Sequence, residues 1–87
     1  MGNITKRIEY LYYIELESGM FGVLYRDKEK AIQTFLDNIK REKSITDSEY
    51  WQNHAKQYEE MIQNGKVKVK TIKQEITEIE SEEILKR

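Results

Sequence analysis

The alternation of apolar and polar residues changes period along this chain, and each change marks an element. From Ile8 to Arg26 the pattern is that of a β-hairpin. Its first arm is Ile8-Glu9-Tyr10-Leu11-Tyr12-Tyr13-Ile14-Glu15-Leu16-Glu17, and its second is Met20-Phe21-Gly22-Val23-Leu24-Tyr25-Arg26, with Ser18-Gly19 between them. β-Branched and aromatic side chains dominate both arms, as a half-buried pleated surface favours, and Ser-Gly offers a residue tolerant of positive φ. With Ser18 and Gly19 as the loop, Leu16 faces Phe21, Ile14 faces Val23 and Tyr12 faces Tyr25, which puts these apolar pairs on one side. Leu11, Tyr13 and Leu24 then point to the other side, Tyr13 directly opposite Leu24, with Met20 near the turn.

Asp27 ends the alternation and supplies a carboxylate that can accept the free N–H groups of a following helix. Ala31, Ile32, Phe35, Leu36 and Ile39 then trace one helical stripe, and the charged run Lys40-Arg41-Glu42-Lys43 leads into a connection. Thr46-Asp47-Ser48-Glu49 matches a capping box, and Ile45 and Tyr50 match its hydrophobic staple. The second stripe is Trp51, His54, Ala55, Tyr58, Met61 and Ile62, ending near Gln63 before Asn64-Gly65.

From Lys66 the period returns to two, predicting a strand with Val67 and Val69 inward and the lysines outward. Ile72, Ile76 and Ile79 have helical spacing, but recurring Thr and Ile favour a strand continuing to about Ile79. A bulge at Thr71-Ile72 would turn Ile72 and Ile76 inward. The expected fold is α+β in the order β-β-α-α-β: a three-stranded, mainly antiparallel sheet with two helices packed on one face. It would be a single domain over 1–87, with a flexible leader at 1–6 and a loose acidic end at 80–87. Whether the third strand pairs with the first or the second is open.

Composition narrows the function classes. The 87 residues carry 15 basic and 16 acidic side chains, so the net charge of -1 gives no overall attraction to nucleic acid or an anionic membrane. The absence of cysteine removes disulfides, thiolate chemistry and Cys-based zinc sites, and is compatible with a reducing compartment. No apolar run approaches the roughly 20 residues that span a bilayer, and no signal segment opens the chain. The start Met1-Gly2 lacks the Ser or Thr that a myristoylation site carries at the sixth position, where Lys6 stands. A soluble cytoplasmic protein with no membrane association is expected. Abundant Ile and Lys, with Ala only at Ala31 and Ala55 and no Pro, point to AT-rich coding DNA such as that of a low-GC bacterium or its phage. In the phage case the location would be the host cytoplasm.

Catalysis needs a positioned base beside a nucleophile, or converging carboxylates. The chain offers no nucleophile elbow, phosphate-cradling Gly loop or metal-binding His pair, so no enzyme, cofactor or metal is expected. Glu59-Glu60 and Glu82-Glu83 are neighbours whose side chains point apart on a helix. His54, on an apolar stripe between Trp51 and Tyr58, reads as a hydrogen-bonded core histidine; its other reading is a ligand or pH sensor.

Binding surfaces are the better candidates. The outer hairpin face of Leu11, Tyr13, Met20 and Leu24, rimmed by Glu9, Glu15 and Arg26, has the make-up of a small interface. The alternative is a nucleic-acid contact through the ladder Lys66, Lys68, Lys70 and Lys73, which competes with a solvated edge strand protected by lysines. A further alternative is a local nucleic-acid mimic formed by Glu75, Glu78, Glu80, Glu82 and Glu83. The leading expectation is a non-enzymatic protein-binding module that occupies and inhibits a larger partner, as a phage or mobile-element accessory or anti-defence protein would. A small nucleic-acid-binding regulator is the alternative, and a homodimer joined through the open sheet face is the third reading.

Overall fold

The computed structural model describes residues 3–86. β1 (Ile4–Leu16) and β2 (Gly19–Tyr25) form the hairpin, followed by α1 (Lys28–Lys43), α2 (Glu49–Gln63) and β3 (Lys68–Ile79). The sheet order is β2-β1-β3 and both pairings are antiparallel, so the long first strand is central and the third pairs with it. The α+β architecture expected from the sequence is therefore the observed one.

The hairpin register differs from the expected one. Leu16 pairs with Gly19 and Ile14 with Phe21, which leaves Glu17-Ser18 as the two-residue turn. Tyr12 nevertheless meets Tyr25, because β2 bulges between Phe21 and Tyr25. Two extra residues in one strand preserve the side-chain parity, so Phe21 and Tyr25 stay on the core side while Val23 is ejected to 60% exposure. Tyr13 has no ladder partner on β2; it stands opposite Lys70 of β3. The bulge depends on Gly22, whose φ is +72° with open space where a Cβ would stand. Gly22→Ala is expected to cost about 1–2 kcal/mol from backbone strain alone. A fall in the urea midpoint at unchanged m-value would register it, with Val23→Ala nearly neutral.

Asp27 caps α1 as its sequence requires, accepting from the N–H of Glu29 at 2.9 Å and of Lys30 at 3.4 Å. Ala31, Phe35 and Ile39 are buried, Ile32 is half-buried and Leu36 is 43% exposed. The capping box is not formed. α2 starts at Glu49 with Ser48 as its N-cap, the Ser48 hydroxyl accepting from the Trp51 N–H at 3.4 Å. Thr46 lies in the connection, its N–H bonded to the Ser44 carbonyl, and Tyr50 is exposed, so the staple is absent too. Gln52 holds this connection instead, donating to the carbonyls of Lys43 and Ile45 at 2.8 Å each. At the other end of α2, Gly65 (φ +69°) donates to the Ile62 carbonyl and Lys66 to that of Met61, a Schellman stop that turns the chain toward β3.

β3 pairs with β1 without interruption from Lys68 to Ile79, so the expected bulge at Thr71-Ile72 is absent. Ile72 and Ile76 consequently face away from the helices, Ile72 beside Leu11 and Ile76 beside Arg7. Of the leader expected at 1–6, residues 4–6 belong to β1 and the Glu80 N–H reaches the Asn3 carbonyl at 2.7 Å, while residues 1 and 2 lie outside the described residues. Residues 80–86 have no regular secondary structure.

The core lies at the hairpin end. Ile14, Leu16, Phe35, Ile39 and Ala55 form it, with Phe21, Ile32, Tyr58, Met61 and Val67 packed around them. Phe21, Phe35 and Tyr58 meet as an aromatic triad with centroids 5.0–6.0 Å apart. The helices cannot cover the whole sheet. At about 1.5 Å per residue the 16-residue α1 spans about 24 Å, while the 13-residue β1 spans about 43 Å. The remainder of β1 and β3 projects as a two-stranded arm, residues 4–11 against 72–79. The radius of gyration is 19.5 Å and the extents are 61 × 35 × 20 Å. A compact domain of this length would have a radius near 12 Å.

Candidate functional site

Exposure along one face of β1 locates the uncovered surface. On the helix side it rises from 2% at Ile14 to 48% at Tyr10, 53% at Ile8 and 65% at Ile4. Ile79, paired with Ile4, is as exposed as its partner. Lys6, Lys73 and Glu75 share this face, opposite Thr77, Tyr10 and Ile8 respectively. Apolar side chains rimmed by both signs of charge thus stand on an arm beyond the folded core.

The outer face of the hairpin is less open than expected. Leu11 and Tyr13 do point away from the helices, but both are half-buried, with Ile72 directly opposite Leu11. Met20, Leu24 and Arg26 are exposed, and the bulge removes the expected facing pair of Tyr13 and Leu24. β3 therefore closes over part of the surface that the sequence assigned to a partner.

The lysine ladder is divided. Lys68 and Lys70 lie on the outer face opposite Glu15 and Tyr13, whereas Lys73 lies on the helix side, and Lys66 precedes the strand. Lys66 Nζ is 2.8 Å from Glu17 Oε1, and this hydrogen bond raises the lysine pKa. A continuous phosphate-tracking row needs its cations on one face and free of carboxylates; the ladder fails the first condition at Lys73 and the second at Lys66. The acidic residues are equally divided. Glu75 is on the helix side, Glu78 is on the outer face with Arg7 Nη1 at 2.7 Å, and Glu80 accepts from the Asn3 side-chain amide at 2.9 Å. Glu82 and Glu83 lie in the irregular end.

His54 is the hydrogen-bonded histidine expected from the sequence, but its buried partner Glu42 escaped that reading. Glu42 is buried to 2% exposure, and its Oε1 lies 2.6 Å from Nδ1 of His54, while its Oε2 has no hydrogen-bond partner. The signal was present: Phe35, Ile39 and Glu42 continue one helical stripe, although the charged run around Glu42 reads as a solvated helix end. His54 is half-buried among the rings of Tyr50, Trp51 and Tyr58. Burial pushes the Tyr58 hydroxyl above the usual phenol range, and the nearby Glu42 and Tyr50 add to the shift. Among the described residues no hydroxyl donates to this pair, so no base-activated nucleophile is assembled.

The depressions beside the core have volumes of about 220 Å³, lined by Glu15, Leu16, Glu17, Gly65, Lys66 and Lys68, and about 250 Å³ between Phe21 and α1. Both fall below the roughly 300 Å³ at which small-molecule sites begin. A larger hollow of about 400 Å³ lies on the arm, lined by Lys6, Arg7, Ile8 and Glu75. Among the described residues no group of His, Cys, Asp or Glu could hold a metal ion, and no helix is long and apolar enough to cross a membrane. No protein family, curated protein or solved structure matches the chain.

Proposed function

We propose that the chain is a non-enzymatic protein-binding module that acts by occupying a site on a larger partner and inhibiting it, and that the β1/β3 arm is the part that docks. The observation that carries this reading is the uncovered helix-side face of the arm. Ile4, Ile8, Tyr10 and Ile79 contribute little to the core that holds the fold, yet they form an apolar row on a narrow projection. A two-stranded arm can enter a cleft that a rounded domain cannot. Its mixed Lys6, Lys73 and Glu75 rim would set orientation and its apolar row the affinity. An accessory or anti-defence role in a phage or mobile element is the setting that suits it.

The test is affinity capture from lysate of the source organism, comparing wild type with Ile8→Ser combined with Tyr10→Ser. The variant is expected to lose the captured protein while its melting temperature stays close to that of wild type. Undiminished capture by the variant contradicts the proposal.

A further inference from the structure

The free edge of β3 has a charge pattern that is complementary to itself. β1 occupies one edge of this strand, and among the described residues no element pairs with the other. An open edge of this length is a template for another strand. The charge along it changes sign once. Lys66, Lys68, Lys70 and Lys73 precede Gln74 with no acid among them, and Glu75, Glu78, Glu80, Glu82 and Glu83 follow with no base before Lys86.

A two-fold axis normal to the sheet at Gln74 would set β3 antiparallel to β3 of a second copy and keep corresponding faces on the same side. In that register Lys73 faces Glu75 and Lys70 faces Glu78 within the strand, each pair occurring twice; continued past its C-terminal end, the same register sets Lys68 against Glu80. Between them Ile72 faces Ile76, Val69 faces Ile79, Thr71 faces Thr77, and Gln74 faces its own counterpart. Every charge of β3 meets its opposite, and no like charges are opposed.

The neighbouring registers lack this property. An axis at Lys73 opposes that lysine to itself and sets Lys70 against Ile76; an axis at Glu75 opposes that glutamate to itself and sets Ile72 against Glu78. An axis between residues is excluded, because a two-fold normal to the sheet cannot bring opposite faces of the two copies together. The β1 side continues the alternation, since Glu15 lies beside Lys68 and Arg7 bridges to Glu78.

We infer that the chain pairs with a second copy of itself through the β3 edge, giving a six-stranded sheet in the order β2-β1-β3-β3-β1-β2 with Gln74 on the two-fold axis. Both helical layers then lie on the same face, at opposite ends. This dimer is made through the edge of the arm; Lys73 and Glu75 also border its apolar face, but the dimer is read by mass and cross-linking and docking by capture with Ile8→Ser and Tyr10→Ser, so the two outcomes are distinguishable.

Size exclusion with light scattering on the full chain tests it. Wild type should have twice the 10.5 kDa chain mass. Lys70→Glu with Lys73→Glu should halve the mass, and adding Glu75→Lys with Glu78→Lys should restore it. Restoration by further charge reversals is an outcome that general destabilisation does not produce. The register has its own test in a chain that has no native cysteine. Gln74→Cys should form an intermolecular disulfide rapidly under mild oxidation, because facing residues of antiparallel strands have Cα atoms about 4.5–5.5 Å apart. Ile72→Cys should not, being displaced from its own counterpart by about 13 Å along the strand. A monomeric wild type overturns the inference, as does a dimer unaffected by the double reversal or cross-linking as fast at position 72 as at 74. If the reversed variants fail to fold, the cysteine pair decides, since it leaves the charges intact.

Discussion

Phe35→Ala is expected to lower the free energy of unfolding by about 3–5 kcal/mol. Phe35 is at 2% exposure, its ring stands edge-on to Phe21 at 5.0 Å and 5.4 Å from Tyr58, and it joins α1 to both the sheet and α2. Truncation removes the buried ring and leaves a cavity that three separate elements would have to close. A domain of this length has a stability of about 4–13 kcal/mol, so the loss is a large fraction of the whole. At about 4–8 °C per kcal/mol the melting temperature should fall by well over 10 °C, readable by circular dichroism. Leu36→Ala is the control from the same helical stripe. At 43% exposure it should cost well under half as much.

The second large effect concerns the buried Glu42–His54 pair. His54→Leu leaves the Glu42 carboxylate with neither oxygen hydrogen-bonded in a nearly closed site, at a cost of about 1–3 kcal/mol, and more for a carboxylate that stays ionised. Pairing it with Glu42→Leu should recover most of that loss, because replacing both partners by apolar groups removes the desolvation penalty together with the interaction. The thermodynamic signature is non-additivity: the double variant is more stable than His54→Leu alone. Urea unfolding of the two singles and the double measures it, and additive losses would show that the pair does not act as a unit.

Which parts of this fold were legible follows from which patterns have a single physical solution. The stripe from Ala31 to Ile39 has no competing reading, and Asp27 stands where a helix start needs an acceptor. The start of α2 is different. Thr46 and Ser48 are both competent caps; the connection bends until Ser48, so local sequence alone chose the wrong hydroxyl. The hairpin faces were legible and its register was not, because a two-residue bulge at Gly22 conserves parity and leaves Phe21 and Tyr25 inward under either alignment. For β3 the assumption of a single apolar face forced a bulge. The strand instead has apolar residues on both faces, Val69 with Ile14 on one and Ile72 with Leu11 on the other. The candidate surface moved for the same reason. Leu11 and Tyr13 were unexplained by a two-stranded hairpin, and the third strand accounts for them. The arm was implicit in the relative lengths of helix and strand, which hydrophobic periodicity does not compare.

The central claim is that the arm's helix-side face binds a protein while the core merely carries it. The most direct measurement is amide hydrogen exchange of the chain with and without its captured partner. Residues 4–11 and 72–79 are expected to gain protection, with α1 and α2 unchanged. Protection appearing on the helices, with the arm exchanging as fast as in the free chain, would contradict the account.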